Sequence, residues 1–137
     1  MNLRFPLLLT FLSLTLLLGS CGKNDIDAPF TDSNNIKGTW QLVERYTSSG
    51  GPGQWSSVTN GYTYTFSEDN VVITDQFECD GTYQFNAGRL TIDFNCPDQQ
   101  FNHTYKIESE GNFIILSPDP SPCDEGCAEK FRRITID

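Results

Sequence analysis

The chain has 137 residues, with 18 acidic against 9 basic side chains and a net charge of −9. That length supports one domain around one core, and the acidity argues against polyanionic partners such as nucleic acid or anionic lipid. Five cysteines with no Cys-x-x-Cys pair argue against a zinc knuckle.

Asn2 to Ser20 reads as a targeting segment. Arg4 supplies the positive start, and Leu7 to Leu18 is an apolar run too short to span a bilayer comfortably. Leu18-Gly19-Ser20-Cys21 resembles a bacterial lipobox. The resemblance implies cleavage before Cys21, acylation of its sulfur and new amino group, and an outer-membrane lipoprotein facing either the periplasm or the cell surface. Several acyl chains on one residue hold a protein at a membrane where one does not. An ordinary signal peptide that ends near a cysteine is the alternative. Loss of residues 1–20 would leave 117 residues with a net charge of −10. Residues 21–35 are polar, aperiodic and interrupted by Pro29, and read as a flexible tether. Within it, Lys23-Asn24-Asp25-Ile26-Asp27 is similar to short charged signals that send some lipoproteins to the cell surface. The folded domain is expected over residues 36–137.

Lys37 to Tyr46 opens the domain as a strand. Trp40, Leu42 and Tyr46 fall on one face and Thr39, Gln41 and Arg45 on the other, while Val43 and Glu44 break the alternation. Residues 47–57 form a Gly/Ser/Pro loop carrying Trp55. Tyr62 to Phe66 alternates aromatic with Thr, and Glu68-Asp69-Asn70 turns into Val71 to Phe77. Glu78 to Phe85 and Leu90 to Cys96 then flank an Ala87-Gly88 turn. Gln100 to Ser109 follows, with Phe101, His103, Tyr105 and Ile107 on one face, and Glu110-Gly111-Asn112 turns into Phe113 to Ser117. A proline-rich loop over residues 117–127 precedes the last strand, Lys130 to Ile136. No stretch has sustained helical periodicity. Eight short strands in sequence order predict an all-β fold, an antiparallel up-and-down barrel whose closure removes both edges.

The turn also selects the disulfides. With Ala87-Gly88 as a two-residue loop, Phe85 faces Leu90, Tyr83 faces Ile92, and Cys79 faces Cys96 at disulfide distance. Cys123 and Cys127 are then left to form a second bridge, as suits an exported chain.

Gly38, Trp40 and an arginine on the last strand resemble the lipocalin and lipocalin-like family, β-barrels marked by Gly-x-Trp on the first strand with an Arg of the last strand packed over the Trp. The arginine here is Arg132 or Arg133. Arg133 shares a face with Phe131 and is favoured if Phe131 points inward. The resemblance covers roughly Ile36 to Ile136 and is nearer to small bacterial lipocalin-like lipoproteins than to animal transport lipocalins. It implies a monomeric binding protein for a small hydrophobic or amphipathic ligand.

The expected inward set is Trp40, Leu42, Tyr62, Tyr64, Phe66, Ile73, Phe77, Tyr83, Phe85, Leu90, Ile92, Phe94, Phe101, His103, Tyr105, Ile107, Phe113 and Ile115. So many large rings lean toward a filled interior. Candidate ligand contacts are Trp55, Tyr62, Tyr64, Tyr83, Phe101, His103 and Tyr105. His103 reads first as an interior imidazole bonded to a Tyr or Ser, and otherwise as a polar anchor for ligand. Asp119, Asp124, Glu125 and Glu129 lack calcium-loop spacing and read as a solvated acidic loop. No nucleophile elbow or phosphate-cradling loop is present, so neither enzyme chemistry nor a cofactor or metal is expected. The other readings are a protein-interaction module, such as an inhibitor of secreted proteases acting through loops 47–57 and 117–127, and a structural envelope lipoprotein.

Overall fold

A computed structural model describes residues 36–48, 51–124 and 126–134. The targeting segment, Cys21 and the tether lie outside the described residues. Nine strands follow one another: β1 (Gly38–Thr47), β2 (Gln54–Ser57), β3 (Thr63–Phe66), β4 (Val71–Thr74), β5 (Gly81–Asn86), β6 (Arg89–Cys96), β7 (Gln99–Glu110), β8 (Phe113–Pro118) and β9 (Ala128–Ile134). From β3 onward each strand pairs antiparallel with the next, and β9 closes onto β1. Along its other edge β1 takes two partners. Gly38 to Gln41 pair with β3, and Glu44 to Thr47 pair with β2. β2 and β3 therefore share one place in the ring, and the fold is a closed eight-stranded antiparallel barrel with no helix among the described residues.

The segment expected as a continuous loop over residues 47–57 thus contains a strand. Its register sets Trp55 opposite Tyr46, with ring centroids 5.4 Å apart. Where β2 hands over to β3, the Val58 amide donates to the Val43 carbonyl at 2.8 Å and the Leu42 amide to the Tyr62 carbonyl at 2.9 Å. Gly61 makes that crossing possible, because a methyl group there would collide with the Leu42 backbone.

The broken alternation in the first strand has a structural cause. The β1–β9 register shifts between Leu42 and Glu44, so Val43 is the extra residue of a bulge. Beyond it Glu44 pairs with Lys130, Arg45 with Glu129 and Tyr46 with Ala128. Tyr46 therefore leaves the face of Trp40 and Leu42 for the outer wall, and Arg45 takes the inner one. This corrects the face expected for both residues.

The β5–β6 hairpin follows its expected register, with Phe85 opposite Leu90 and Tyr83 opposite Ile92. Ala87 and Gly88 both have positive φ, 49° and 75°, as a two-residue hairpin turn of this hand needs. β5 begins at Gly81 rather than Glu78, and β4 ends at Thr74 rather than Phe77. Cys79 thus lies ahead of the ladder, and its bond to Cys96, with Cα atoms 5.7 Å apart, ties the hairpin there instead. Cys123 is bonded to Cys127.

Two strands face opposite to expectation. Val72 is fully buried while Ile73 is 47% exposed. In β8, Ile114 and Leu116 enter the core, and Phe113 and Ile115 lie on the other face, with the Lys130 ammonium 5.0 Å from the Phe113 ring centre. Both strands are unbroken apolar runs, Val71-Val72-Ile73 and Phe113-Ile114-Ile115-Leu116, in which period two carries no parity signal. The preceding turns set the face, by pairing Phe66 with Val72 and Glu110 with Phe113.

The interior is filled. At one end the Trp40 indole donates to the Ile36 carbonyl at 2.7 Å, and the Arg133 guanidinium lies 4.5 Å over its ring. Phe131 is fully buried, so Arg133 does share its face. Above Trp40, Phe131 packs edge-on to Tyr62 at 5.5 Å and tilted to Tyr64 at 5.7 Å, and Phe66 meets Tyr83 at 5.0 Å. Phe77, Phe94 and Phe101 form a second group of rings on the far wall.

Candidate functional site

The end of the barrel away from Trp40 stays open. It is framed by the C-terminal ends of β1 and β8 and the N-terminal ends of β7 and β9, which antiparallel pairing brings to one rim. Between them lies a cup of about 250 Å³. Phe101, Tyr105, Leu116 and Pro118 form its apolar wall, Pro122 and Cys127 overhang it, and Arg45, His103 and Glu129 supply its polar groups. The Cys123–Cys127 bridge holds the overhang, and an ion pair between Asp119 and Arg89 ties the base of that loop to the barrel.

Polar order in the cup centres on Glu129. One carboxylate oxygen accepts from Arg45 Nε at 2.9 Å, and the other accepts the Tyr62 hydroxyl at 2.6 Å. Burial pushes the Tyr62 phenol well above its ordinary range, and the neighbouring Tyr64 and Glu129 push it further. Tyr64 is pushed up to about 12, chiefly by burial, against an opposing hydrogen bond from Tyr62. Tyr105 is raised by burial, then by Tyr64 and Glu129. All three are therefore neutral hydroxyl groups at physiological pH. A phenol whose folded pKa is raised stabilises the fold below its unfolded value, and that stability is lost as pH climbs toward the folded value. The protein is accordingly expected to lose stability from about pH 10 upward, through the window that ends near 12 for Tyr64. Tyrosinate absorbance and circular dichroism should then change together. Phenol ionisation with the barrel intact would contradict it.

Of the seven residues expected to contact ligand, Phe101, His103 and Tyr105 line the cup. Tyr62 supports Glu129 from below. Tyr64 and Tyr83 do not reach the cup. Both are packed in the core, and the Tyr83 hydroxyl is used at the other end of the barrel, donating to the Ser67 carbonyl at 2.7 Å. Trp55 stands on the outer wall. His103 is not an enclosed imidazole. It is exposed at the lip, its ring 4.6 Å from Phe101, with no hydrogen-bond partner among the described residues. The alternation of β7 puts it on the cup side, and its place near the start of the strand leaves it in solvent.

Sequence reasoning missed Arg45, Leu116, Pro118 and Glu129 as cup residues. The disruption at Val43 and Glu44 was the available signal for Arg45, since a bulge turns the residues beyond it over. Glu129 was assigned to the acidic loop, and the structure pairs it with Arg45 as it pairs Asp119 with Arg89. Among the described residues no three His, Cys, Asp or Glu side chains converge as a metal site.

Two broader depressions lie outside the cup. One, of about 520 Å³, runs beside the Cys79–Cys96 bridge from Gln76 to Gln99. The other, of about 510 Å³, is on the outer wall, where Trp55 and Tyr46 meet Ile115, Ala128 and Cys127. There Trp55 of β2 comes to Ser117, Pro118, Ser121, Gly126 and Cys127 of the last long connection.

Comparison with curated proteins and with solved structures gives no match. The model of a family described as a lipocalin-like domain matches residues 36–116, more than half of the chain. With that match running from the first strand, under Arg133, to the strand that carries Leu116 on the cup wall, the chain belongs to the lipocalin-like domain family.

Proposed function

We propose that the protein is a membrane-anchored binding lipoprotein, not an enzyme, and that its ligand site is the open-end cup rather than the barrel interior. A lipocalin-like barrel suits small-ligand binding. The observation that carries the location is the contrast between an interior filled by Trp40, Tyr64, Tyr83, Phe66 and Phe131 and an apolar cup with charged groups at its lip. At about 250 Å³ the cup is below the usual range for a drug-sized ligand. It suits a small apolar molecule or the apolar end of an amphipathic one. The anchor is the acylated Cys21, and membrane fractionation of a Cys21→Ala variant tests it.

His103 is the sole histidine in the chain, so its ring protons give an isolated nuclear magnetic resonance signal. A panel of small apolar and amphipathic compounds should include some that shift His103 and leave the buried Trp40 indole proton in place. A panel that moves neither would overturn the cup as a ligand site.

A second reading is favoured by one feature, the outer-wall trough where Trp55 of β2, which is 42% exposed, meets the last long connection. A rigid, disulfide-braced loop next to an exposed indole suits a protein partner. Co-secreted proteases that are inhibited by the protein, but not by its Trp55→Ser variant, would support this reading over the cup.

A further inference from the structure

The cup has an unbalanced set of hydrogen-bonding side chains. Its one carboxylate, Glu129, has both oxygens engaged, by Arg45 and Tyr62. Its donors are not all engaged. Arg45 uses Nε alone, so the two Nη nitrogens carry no partner among the described residues. The Tyr105 hydroxyl and the His103 ring nitrogens also lack hydrogen-bond partners among the described residues, the ring itself lying against Phe101 and Tyr105. A cup with free donors and no free carboxylate is matched by a ligand that only accepts. The strongest pairing for a guanidinium edge is a carboxylate, taken by two parallel bonds.

The size and shape of the wall set the other end of the ligand. An apolar cavity of about 150 Å³ holds a benzene ring. The cup, at about 250 Å³, holds one ring and a short acid arm. Phe101, Leu116 and Pro118 offer flat apolar surface to such a ring. An ammonium ligand would face the Arg45 guanidinium with Glu129 already neutralised, which costs like-charge repulsion with no compensating pair.

We propose that the cup selects small aromatic monocarboxylates, with the ring against Phe101 and Leu116 and the carboxylate on the Arg45 Nη edge and the Tyr105 hydroxyl. This rests on the reading of the cup as the ligand site and names the ligand class for it.

The test uses the full-length protein in lipid nanodiscs, titrated with 3-phenylpropionate, 3-phenylpropionamide and 3-phenylpropylamine while the His103 ring signals are followed. The acid should bind at least about tenfold more tightly than the amide, the step expected from a charge-assisted pair. That preference should vanish in Arg45→Gln and shrink in Tyr105→Phe, the second variant leaving the Glu129 pair in place. Added salt should weaken the acid and leave the amide unchanged. If acid and amide bind alike, or the amine binds best, the carboxylate proposal is overturned while the cup survives as a binding site. If none of the three perturbs His103, both fall.

Discussion

Substitution of Trp40 by Ala is expected to destabilise the protein by about 3–5 kcal/mol, the range for deleting a large buried ring. Trp40 is 1% exposed and closes the end of the barrel where first and last strands meet. Its removal leaves a cavity against Tyr64, its partner across the strands. It also strips the Ile36 carbonyl of its indole donor. The guanidinium of Arg133 would lose the ring beneath it. Trp40→Phe should cost less, because a ring remains but the donated bond does not. Arg133→Gln should cost about 0.5–2 kcal/mol, the scale of a cation–ring contact. Urea unfolding followed by circular dichroism measures all three. A loss below about 1 kcal/mol for Trp40→Ala would resemble a surface substitution and contradict its place as the plug of the barrel.

Removal of the Cys79–Cys96 bridge is the other change with a large expected effect. The bridge joins residues 17 positions apart. On the chain-entropy account, closing a loop of that size stabilises the fold by about 3 kcal/mol. The effect should approach this value because little else secures the start of β5. β4 and β5 share only the pairs Val71–Thr82 and Val72–Gly81, and β5 enters the β6 ladder after Cys79. The Cys123–Cys127 bridge spans only 4 positions, and the same account assigns it about 2 kcal/mol. A paired Cys79→Ala/Cys96→Ala chain should therefore unfold at lower urea than a paired Cys123→Ala/Cys127→Ala chain. The second pair should also loosen the overhang of the cup and alter His103, with a stability loss smaller by about 1 kcal/mol. The reverse order of stabilities would contradict the hairpin as the point of weakness.

Much of this architecture was written in local signals. Eight of the nine strands, the Ala87-Gly88 hairpin register and the Cys79–Cys96 pairing follow from alternation and turn chemistry, which act over a few residues, while the Trp40–Arg133 contact was legible through the resemblance to lipocalin-like chains. Where alternation lapses, the sequence is silent. Val71-Val72-Ile73 and Phe113-Ile114-Ile115-Leu116 offer an apolar side chain to either face, and only the registers set by the adjoining turns decided that Ile73 and Ile115 face away from the barrel interior.

The cup shows the same division at the level of the site. Alternation along one strand was enough to group Phe101, His103 and Tyr105, and the barrel places them on one wall. Arg45 and Glu129 are separated by 84 positions, and no local pattern joins them. Their meeting depends on the bulge at Val43 and on closure of the last strand against the first. The sequence by itself thus determined eight of the nine strands and the hairpin with its bridge, because each rests on neighbours in the chain or across one turn. The count of large rings already leaned toward a full interior, but tertiary structure alone decided that the remaining space lies at the rim, because ring packing and bulge register depend on all eight walls at once.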